Sequence, residues 1–409
     1  MADTAKVKSS FNDVMARRFS RTFQRAAQGL SAEDIAQSGA RDAFFAPVDA
    51  LAADVQAKGG AFLSFGHYDY LGVSGHPAVI EAGVAALRQF GAGAGASRLV
   101  GGERLAHRAL EQAMAGFLGA EATLMMISGY LANLSLIPHL LTAQDLLIID
   151  SLAHNSIAST ARTGGYDCRT FAHNDCDALE RILEAERGNY RQVLIVTEGL
   201  FSMDGDIPDL PRLLAMKERH DAWLMLDEAH SYGVLGATGR GITEHFGIDP
   251  RRIDISVGTL SKSFGASGGF IAAAAHVIEW LRYTLPGFVF SVGLSPATVA
   301  TVRAALELLV AEPERLDRLR ETSAYFLRRA RDAGLNTGPA IGIAVVPVLF
   351  DSTAQTMRMA KRLRDAGIYA PPVAQVGVPV DSPRIRFFLT ANHTRADIDR
   401  VIGLLAQPD

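Results

Sequence analysis

The chain has 409 residues, of which 48% are hydrophobic and 21% charged. These are ordinary values for globular proteins, and they exclude a disordered, collagenous or coiled-coil chain. The 40 Lys and Arg against 44 Asp and Glu give a net charge of −4, which leaves no global basic field of the kind that holds nucleic acid.

The two cysteines, Cys168 and Cys176, have no His–Cys cluster near them in the sequence, which argues against a zinc site and a disulfide framework. We therefore expect a reducing compartment. The sequence has no run of about 18 apolar residues. Its N-terminus lacks the apolar core of a secretory signal. Together these features predict a soluble, cytoplasmic protein.

Residues 1–60 are predicted to form a separate N-terminal helical segment. Its first 28 residues carry six Lys or Arg and two Asp. Apolar residues recur there at spacings of three and four, which predicts one apolar stripe on a basic helix. The stripe consists of Phe11, Val14, Met15, Phe19 and Phe23. Such a helix suits packing across the protein's own dimer, peripheral docking to an anionic lipid or acidic carrier-protein surface, or a cleaved organelle presequence, which Asp3 and Asp13 disfavour.

Between residues 61 and 292, short apolar runs alternate with amphipathic helical patterns. Most runs are apolar throughout, as expected of parallel strands that helices cover on both faces. The alternation predicts βαβ units and a large α/β domain with a mostly parallel sheet. The predicted strands are Thr123–Ile127, Leu146–Ile149, Val193–Val196, Trp223–Leu226, Ile253–Val257 and Phe270–Ala274.

Residues 293–409 are predicted to form a smaller α+β domain, because the regular alternation stops there. The predicted elements are a long helical stretch from Ala297 to about Ala333, a strand at Ile343–Phe350, a helix at Ala354–Ala366, a strand at Ile385–Leu389 and a closing helix from Thr394.

Three suggestive motifs lack the context that their chemistry needs. Gly91–Ala96 has the glycine spacing of a dinucleotide fingerprint, but it follows a helical pattern at Ala78–Phe90 instead of a strand. Gly265–Gly269 matches the serine-hydrolase elbow, but Ser267 leads into a strand rather than a helix. The eleven histidines show no metal-binding spacing, so we expect no metal site.

Four polar segments fall at the carboxyl ends of predicted strands, where open α/β sheets bind ligands. They are Ser128–Tyr130, Asp150–His154, Leu226–Ser231 and Gly258–Ser263. An Asp that ends a buried strand is costly unless a positive charge pairs with it. Together the segments supply what pyridoxal phosphate needs: a lysine for the Schiff base, a carboxylate for the ring nitrogen, an aromatic face, and hydroxyls with a helix N-terminus for the phosphate.

At these residues the chain also resembles the α-oxoamine synthases, from about Phe62 to the C-terminus. The resemblance implies the aspartate-aminotransferase fold (fold type I) and pyridoxal phosphate as the cofactor. It also implies condensation of an amino acid with an acyl thioester, which releases carbon dioxide and the thiol and gives an α-amino ketone.

The resemblance assigns roles to four catalytic candidates. Lys262, in Gly-Thr-Leu-Ser-Lys-Ser-Phe-Gly, resembles the Schiff-base lysine and would be the acid/base at Cα. Asp227 would keep the ring nitrogen protonated, and His230 would hydrogen-bond the ring oxygen. His154 would stack over the ring and contact the substrate carboxylate. The other cofactor-lining residues that it implies are Gly129, Tyr130, Ser202, Thr259 and Ser261.

Three further residues concern the partner subunit and the substrate. Ser291 resembles the hydroxyl that a partner subunit gives to the phosphate, which implies a homodimer with shared active sites. Arg386 resembles the arginine that binds the amino-acid carboxylate, and its planar fork suits that group. Arg384 shares its face of the strand, so alternation cannot separate the two arginines. The Ala-Asn-His-Thr that follows favours Arg386.

Fewer residues indicate which branch of the family the chain resembles. Members that use glycine or alanine usually have Asn where this chain has Tyr68, a candidate substrate-binding residue. Tyr68 and Ser231 resemble the serine palmitoyltransferases, and the run from Val376-Gly-Val-Pro379 through Arg386 is similar to their eukaryotic catalytic subunit. Asp69, where that branch usually has Asn, and Ala370, where bacterial members often have Arg, depart from the pattern.

We therefore expect L-serine and a long-chain acyl thioester as substrates, in the first step of sphingolipid synthesis. The acyl donor is a coenzyme A or a carrier-protein thioester. The alternatives are an 8-amino-7-oxononanoate synthase that uses alanine, a natural-product α-oxoamine synthase with another acyl chain, and a plain aminotransferase. The aminotransferase would share Lys262 and Asp227 but would form no carbon–carbon bond.

Overall fold

The structure, a computed structural model, describes residues 10–26, 54–57, 60–373 and 382–407, and it describes side chains for 10–18, 62–373 and 382–407. The strands are β1 Asp54–Ala57, β2 Gly60–Ser64, β3 Ala122–Met126, β4 Leu146–Asp150, β5 Asp167–Phe171, β6 Val193–Glu198, β7 Trp223–Asp227, β8 Ile255–Thr259, β9 Gly269–Ala273, β10 Val345–Leu349, β11 Ile368–Tyr369, β12 Pro372–Val373 and β13 Arg384–Phe388.

The helices are α1 Phe11–Ala26, α2 Pro77–Phe90, α3 Leu105–Leu118, α4 Gly129–Leu140, α5 Asn155–Thr163, α6 Cys176–Glu186, α7 Leu210–Arg219, α8 Ile242–His245, α9 Ala275–Thr284, α10 Pro286–Val289, α11 Pro296–Ala311, α12 Glu314–Asp332, α13 Thr353–Asp365 and α14 Arg395–Leu405. Short 3₁₀ turns lie at Arg98–Val100, Arg187–Asn189 and Pro250–Arg252.

The large sheet has seven strands in the order β3-β9-β8-β7-β6-β4-β5. β4 to β8 pair in parallel, whereas β9 is antiparallel to both of its neighbours, so the predicted mostly parallel sheet is confirmed. Successive residues of its strands belong to two different core clusters, since Leu147 and Ile149 pack in one and Leu146 and Ile148 in the other. The sheet is therefore buried on both faces, which explains why its strands are apolar throughout.

All six predicted strands of this sheet are present, with ends displaced by no more than two residues. The strand predicted at Ile253–Val257 begins later because Ile253 follows a 3₁₀ turn, while the Asp254 carboxylate accepts a hydrogen bond from the Leu224 N–H (2.7 Å). Sequence reasoning missed β5. This strand lies at the sheet edge and is partly exposed, so it lacks the apolar run that marks a buried strand.

The C-terminal residues form one small sheet, add one strand to another, and form the helices beside them. β10, β13 and β12 make an antiparallel sheet, in which Arg386 pairs with Pro347, and β11 adds in parallel to β2. The long helical stretch predicted from Ala297 to Ala333 is wrong as one helix: α11 ends at Ala311 and α12 begins at Glu314. Pro313 between them has no N–H to continue the first helix.

The N-terminal prediction is tested only in part. Helix α1 lies within the predicted basic segment, and its Phe11 is 75% exposed. The segment 1–60 also contains the strand β1 (Asp54–Ala57), so it is not helical throughout. Its residues 1–9, 27–53 and 58–59, and residues 376–381 of the run that ends at Arg386, lie outside the described residues. The domain boundaries at residues 60 and 292 remain predictions. Within the described ranges, no helix is long and apolar enough to span a membrane.

Candidate active site

A cavity of about 500 Å³ lies where β4, β6, β7 and β8 end at the same edge of the large sheet. Parallel strands necessarily end together, so residues far apart in sequence meet there. All the predicted site residues except Ser291 line it: Tyr68, Gly129, Tyr130, His154, Ser202, Asp227, His230, Thr259, Ser261, Lys262 and Arg386.

Asp227 is the last residue of β7, and only 5% of it is exposed. Its Oδ2 accepts a hydrogen bond from the Asn133 amide (2.7 Å), and its Oδ1 accepts one from the Ala229 N–H (3.0 Å). The carboxylate is therefore held in one orientation at the floor of the cavity. A fixed negative charge in a site of low polarity can stabilise a protonated ring nitrogen.

Lys262 follows β8 on a short loop, and its ammonium lies 5.8 Å from the centre of the Tyr68 ring. Burial lowers the pKa of Lys262 to about 8, although the nearby carboxylates of Asp227 and Glu198 oppose that shift. A substantial fraction of the amine is therefore neutral near pH 8. Such an amine can act as a nucleophile and as a base.

His154 caps helix α5 at the end of the loop after β4. Its Nδ1 accepts a hydrogen bond from the Ser156 N–H (3.3 Å) and lies 2.8 Å from the Ser156 hydroxyl. That hydroxyl also accepts a bond from Asn133 (2.9 Å), the residue that holds Asp227. Burial lowers the pKa of His154, so a neutral ring faces the cavity.

The phosphate-binding end is predicted at the N-terminus of α4. Ser128 caps this helix by accepting a hydrogen bond from the Leu131 N–H (3.4 Å). The N–H groups of the first turn have no partner within the helix, which favours an anion there. A Cβ on Gly129 would lie 3.2 Å from Thr259, so the absence of a side chain permits this close approach. The Thr259 and Ser261 hydroxyls lie 2.8 Å apart nearby.

The structure separates the two arginines that strand alternation could not. Arg384 is buried and bonded to the Asp204 carboxylate (2.7 Å) and the Met203 carbonyl (2.8 Å). Arg386 faces the cavity and donates one hydrogen bond, from Nη1 to the Ser202 carbonyl (3.1 Å). Its Nε is buried without a partner among the described residues. Arg386 therefore retains donors for a carboxylate.

Ser291 lies apart from this cavity, in a small pocket beside Arg98 and Phe288. Its neighbours Phe290 and Val292 are 85% and 55% exposed. The geometry of one chain thus does not bring Ser291 to the site. The predicted role through a partner subunit stays a prediction.

Sequence reasoning missed two residues that line the cavity, Glu198 and Asn133, and a third, Tyr70, that contacts the cavity residue His230 from behind. Glu198, the last residue of β6, pairs in register with Asp227 and accepts the His154 N–H at 2.7 Å. Burial, followed by the Asp227 charge, raises the pKa of Glu198 well above its ordinary value. Asn133 is a buried helical residue, and Tyr70 bonds His230 from the opposite side. Only the strand-end position of Glu198 could have identified it beforehand.

The donor set fits pyridoxal phosphate. A partly neutral lysine, a fixed carboxylate, hydroxyls beside a helix N-terminus and two neutral histidines surround one cavity of suitable size. The carbonyl Oδ1 of Asn133 and the Nε of Arg386 are buried without partners in the described part of the chain. Unpaired buried polar atoms are costly, and a polar ligand with its substrate would relieve that cost.

Comparisons with known proteins agree with this chemistry. Residues 61–405 match the family described as aminotransferase class I and II. An 8-amino-7-oxononanoate synthase from Bacillus pumilus is 38% identical over 339 residues, which cover 83% of this chain and 86% of that protein. Another, from Stutzerimonas stutzeri, is 38% identical over 354 residues, 87% and 89% of the two chains. The solved structure of a serine palmitoyltransferase from Sphingomonas wittichii is similar with a TM-score of 0.88 at 30% identity, over 98% of each chain.

Proposed function

Because the chain belongs to the α-oxoamine synthases, pyridoxal-phosphate enzymes of fold type I within the class I and II aminotransferase family, we propose that it joins L-alanine to an acyl thioester and releases carbon dioxide. The observation that carries the reaction is the meeting of Lys262, Asp227, His154 and Arg386 in one cavity. The bound cofactor withdraws electrons from Cα of the amino acid.

The chain's own residues divide the remaining work. Arg386 binds the amino-acid carboxylate with its spare donors, which positions Cα near Lys262. The Lys262 amine removes the Cα proton. The Asp227 carboxylate, held by Asn133 and the Ala229 N–H, would hold the ring nitrogen of the cofactor in its protonated form. Once deprotonated, Cα would bond to the thioester carbonyl carbon as the thiol leaves. Loss of the carboxylate as carbon dioxide and return of one proton to Cα would then give an α-amino ketone.

The choice of alanine is supported by relatives at 38% identity that are named for the product 8-amino-7-oxononanoate. In that product the two-carbon fragment that bears the amine is alanine without its carboxylate. The other seven carbons, ending in a carboxylate, come from the acyl donor. We therefore propose a seven-carbon dicarboxylic acyl thioester as the second substrate.

L-serine with a long-chain acyl thioester is the second candidate, favoured by Tyr68 in the cavity wall and by the 30% identical serine palmitoyltransferase structure. Ser231 adds less to it than the sequence suggested. Its hydroxyl is fully buried and donates to Glu228, so its role is local to that loop. Asp69 likewise caps a turn, by accepting from the N–H groups of Val73 (2.9 Å) and Ser74 (3.2 Å).

Mass spectrometry of the products tests the choice. The cofactor-loaded protein is offered L-alanine, L-serine or glycine, each with a seven-carbon dicarboxylic or a long-chain acyl-coenzyme A. An amino ketone from alanine and the short donor supports the proposal. A long-chain keto amino alcohol from serine supports the second candidate. Conversion of the offered amino acid to its keto acid, without carbon dioxide release, would overturn the assignment to carbon–carbon bond formation.

We also propose a homodimer in which Ser291 serves the partner's site, supported by the exposed apolar residues beside it. Two variants test this idea. If each site combines Lys262 of one subunit with Ser291 of the other, hybrid dimers of Lys262→Ala and Ser291→Asp contain one site with both residues intact, and mixing restores activity. If Ser291 acts within its own chain, both hybrid sites are damaged and mixing restores none.

The basic helix α1 is proposed to contact an anionic lipid surface peripherally, supported by its exposed Phe11, Arg17 and Arg18. Cosedimentation with vesicles of anionic or neutral lipid, with and without residues 1–28, tests this. Binding to anionic vesicles that the deletion abolishes supports the proposal. Equal binding by the deleted chain contradicts it. If the deletion instead lowers the reaction rate with acyl-carrier-protein donors and not with acyl-coenzyme A, the helix binds the carrier protein.

A further inference from the structure

The hydrogen bond between Tyr70 and His230 lies behind the cavity. The Tyr70 hydroxyl oxygen is 2.6 Å from Nδ1 of His230. Tyr70 is fully buried, and only 7% of His230 is exposed. This bond therefore forms in an environment that excludes water, where a hydrogen bond is electrostatically stronger than at a surface.

Both rings are neutral near pH 7. Burial, then the neighbouring Tyr68, raises the pKa of Tyr70 well above its ordinary value, so its hydroxyl keeps its proton. Burial and the positive charges of Lys262 and Arg386 lower the pKa of His230 well below its ordinary value. A neutral imidazole carries one hydrogen, on either Nδ1 or Nε2, and the surroundings decide which.

The position of that hydrogen follows from the partners. The Tyr70 hydroxyl has no other acceptor among the described residues, so only Nδ1 can receive its hydrogen. If Nδ1 carried the hydrogen instead, the Tyr70 O–H would be buried with no acceptor, which is unfavourable. Nδ1 is therefore the acceptor, and the imidazole hydrogen is on Nε2.

We propose that Tyr70 is a positioning residue that holds His230 in its Nε2–H form, so that the ring presents a hydrogen-bond donor to the cavity. Nε2 has no partner among the described residues and is the atom that a ligand can reach. The ionised ring oxygen of pyridoxal phosphate accepts hydrogen bonds only. The other form of His230 would present a lone pair to that oxygen and repel it.

Strand β13 and the residues that follow it hold the backbone around Tyr70. The Tyr70 carbonyl accepts a hydrogen bond from the Ala391 N–H (2.8 Å), and the Phe65 carbonyl accepts one from Phe388 (2.9 Å). Phe388 belongs to β13, the strand that also carries Arg386. The residue that orients His230 and the arginine that faces the substrate are thus anchored to the same part of the fold.

Nitrogen NMR of protein labelled with ¹⁵N in its histidine rings tests the proposal without cofactor or substrate. Protonated and unprotonated ring nitrogens give separate signals, and His230→Gln identifies the signals of His230. The wild-type protein should show Nε2 protonated and Nδ1 not. Observation of the opposite form in the wild type would overturn the proposal, whether or not a variant of Tyr70 can be prepared.

The Tyr70→Phe variant supplies the second arm. It keeps the ring and removes the hydroxyl, so the ratio of the two His230 forms should change by about three- to tenfold. In the loaded protein, the pH midpoint of the bound cofactor's absorbance should rise, because the ring oxygen loses a fixed donor. Tyr166→Phe is the matched control, since Tyr166 is a buried tyrosine whose hydroxyl bonds the Thr160 carbonyl (3.1 Å), away from the cavity.

Three outcomes decide the matter. A changed ratio and midpoint in Tyr70→Phe, with neither change in Tyr166→Phe, supports the proposal. An unchanged ratio in Tyr70→Phe shows that Tyr70 serves packing alone. Equal changes in both variants would reveal a general effect of losing a buried hydroxyl and would also overturn it. Since no substrate is involved, failure of the proposed condensation would leave these results unaffected.

Discussion

His173 is expected to make the stability of this protein depend on pH between 7 and 9. Its Nδ1 lies 2.9 Å from the Asp150 carboxylate and its Nε2 lies 2.9 Å from that of Asp206. Asp150 ends β4, and Asp206 lies in the loop after β6. His173 therefore ties together two segments that also carry His154 and Ser202.

The magnitude follows from linkage. Burial alone would lower the pKa of His173, but its hydrogen bonds to Asp150 and Asp206 raise that pKa from 6.5 to about 10. A pKa raised by folding stabilises the native state fully below pH 6.5, and the stabilisation is lost as pH rises through about 10. At about 1.36 kcal/mol per pKa unit, the contribution is at most about 4 kcal/mol at pH 7 and about 1.4 kcal/mol at pH 9.

Urea unfolding of the cofactor-free protein at pH 7 and pH 9, at one protein concentration, measures this difference. His173→Gln keeps a hydrogen-bonding side chain but cannot carry the charge. We expect the wild type to lose about 1–2.5 kcal/mol more than His173→Gln between the two pH values.

His220→Gln is the matched control, because His220 also bonds a carboxylate, that of Glu180 at 2.8 Å, but in a half-buried position away from the cavity. It should retain the pH dependence of the wild type. If His173→Gln and the wild type respond identically to pH, His173 is not charged in the folded protein and the reasoning fails.

Four other substitutions test the site directly. Lys262→Ala should abolish turnover and the covalent link to the cofactor while leaving the unfolding midpoint unchanged; product formation by this variant would contradict the assignment. Asp227→Asn should lower kcat by about 100-fold or more, since it removes a fixed charge, and steady-state kinetics of the loaded enzyme measures this. Arg386→Lys should raise KM for the amino acid by about 10- to 100-fold, whereas Arg384→Lys, its matched control, should lower stability and leave KM unchanged. Glu198→Gln should keep kcat within about threefold, because burial and the Asp227 charge raise the pKa of Glu198 and so already disfavour the charge that the variant removes; a larger loss would show that its charge is needed.

The sequence by itself determined the central chemistry and most of the large sheet. Strands buried on both faces must be apolar throughout, so six of the seven strands of that sheet are predicted by their continuous apolar runs. Polar residues at the ends of such strands have to meet at one edge, which is why the sequence alone predicts one site for Lys262, Asp227 and His154.

Other features depended on contacts between residues distant in sequence. Strand alternation places Arg384 and Arg386 on one face, and only the position of Asp204 shows which arginine is committed to an ion pair. β5 escaped detection because an edge strand needs no apolar run.

The same reason explains why sequence reasoning missed Tyr70, which has no feature in the sequence that separates it from other aromatic residues. Its hydroxyl meets His230 across 160 positions of the chain. Local patterns report which groups are buried, because burial leaves a periodicity in the sequence. Which buried donor finds which acceptor is decided only when the tertiary structure brings them within about 3 Å.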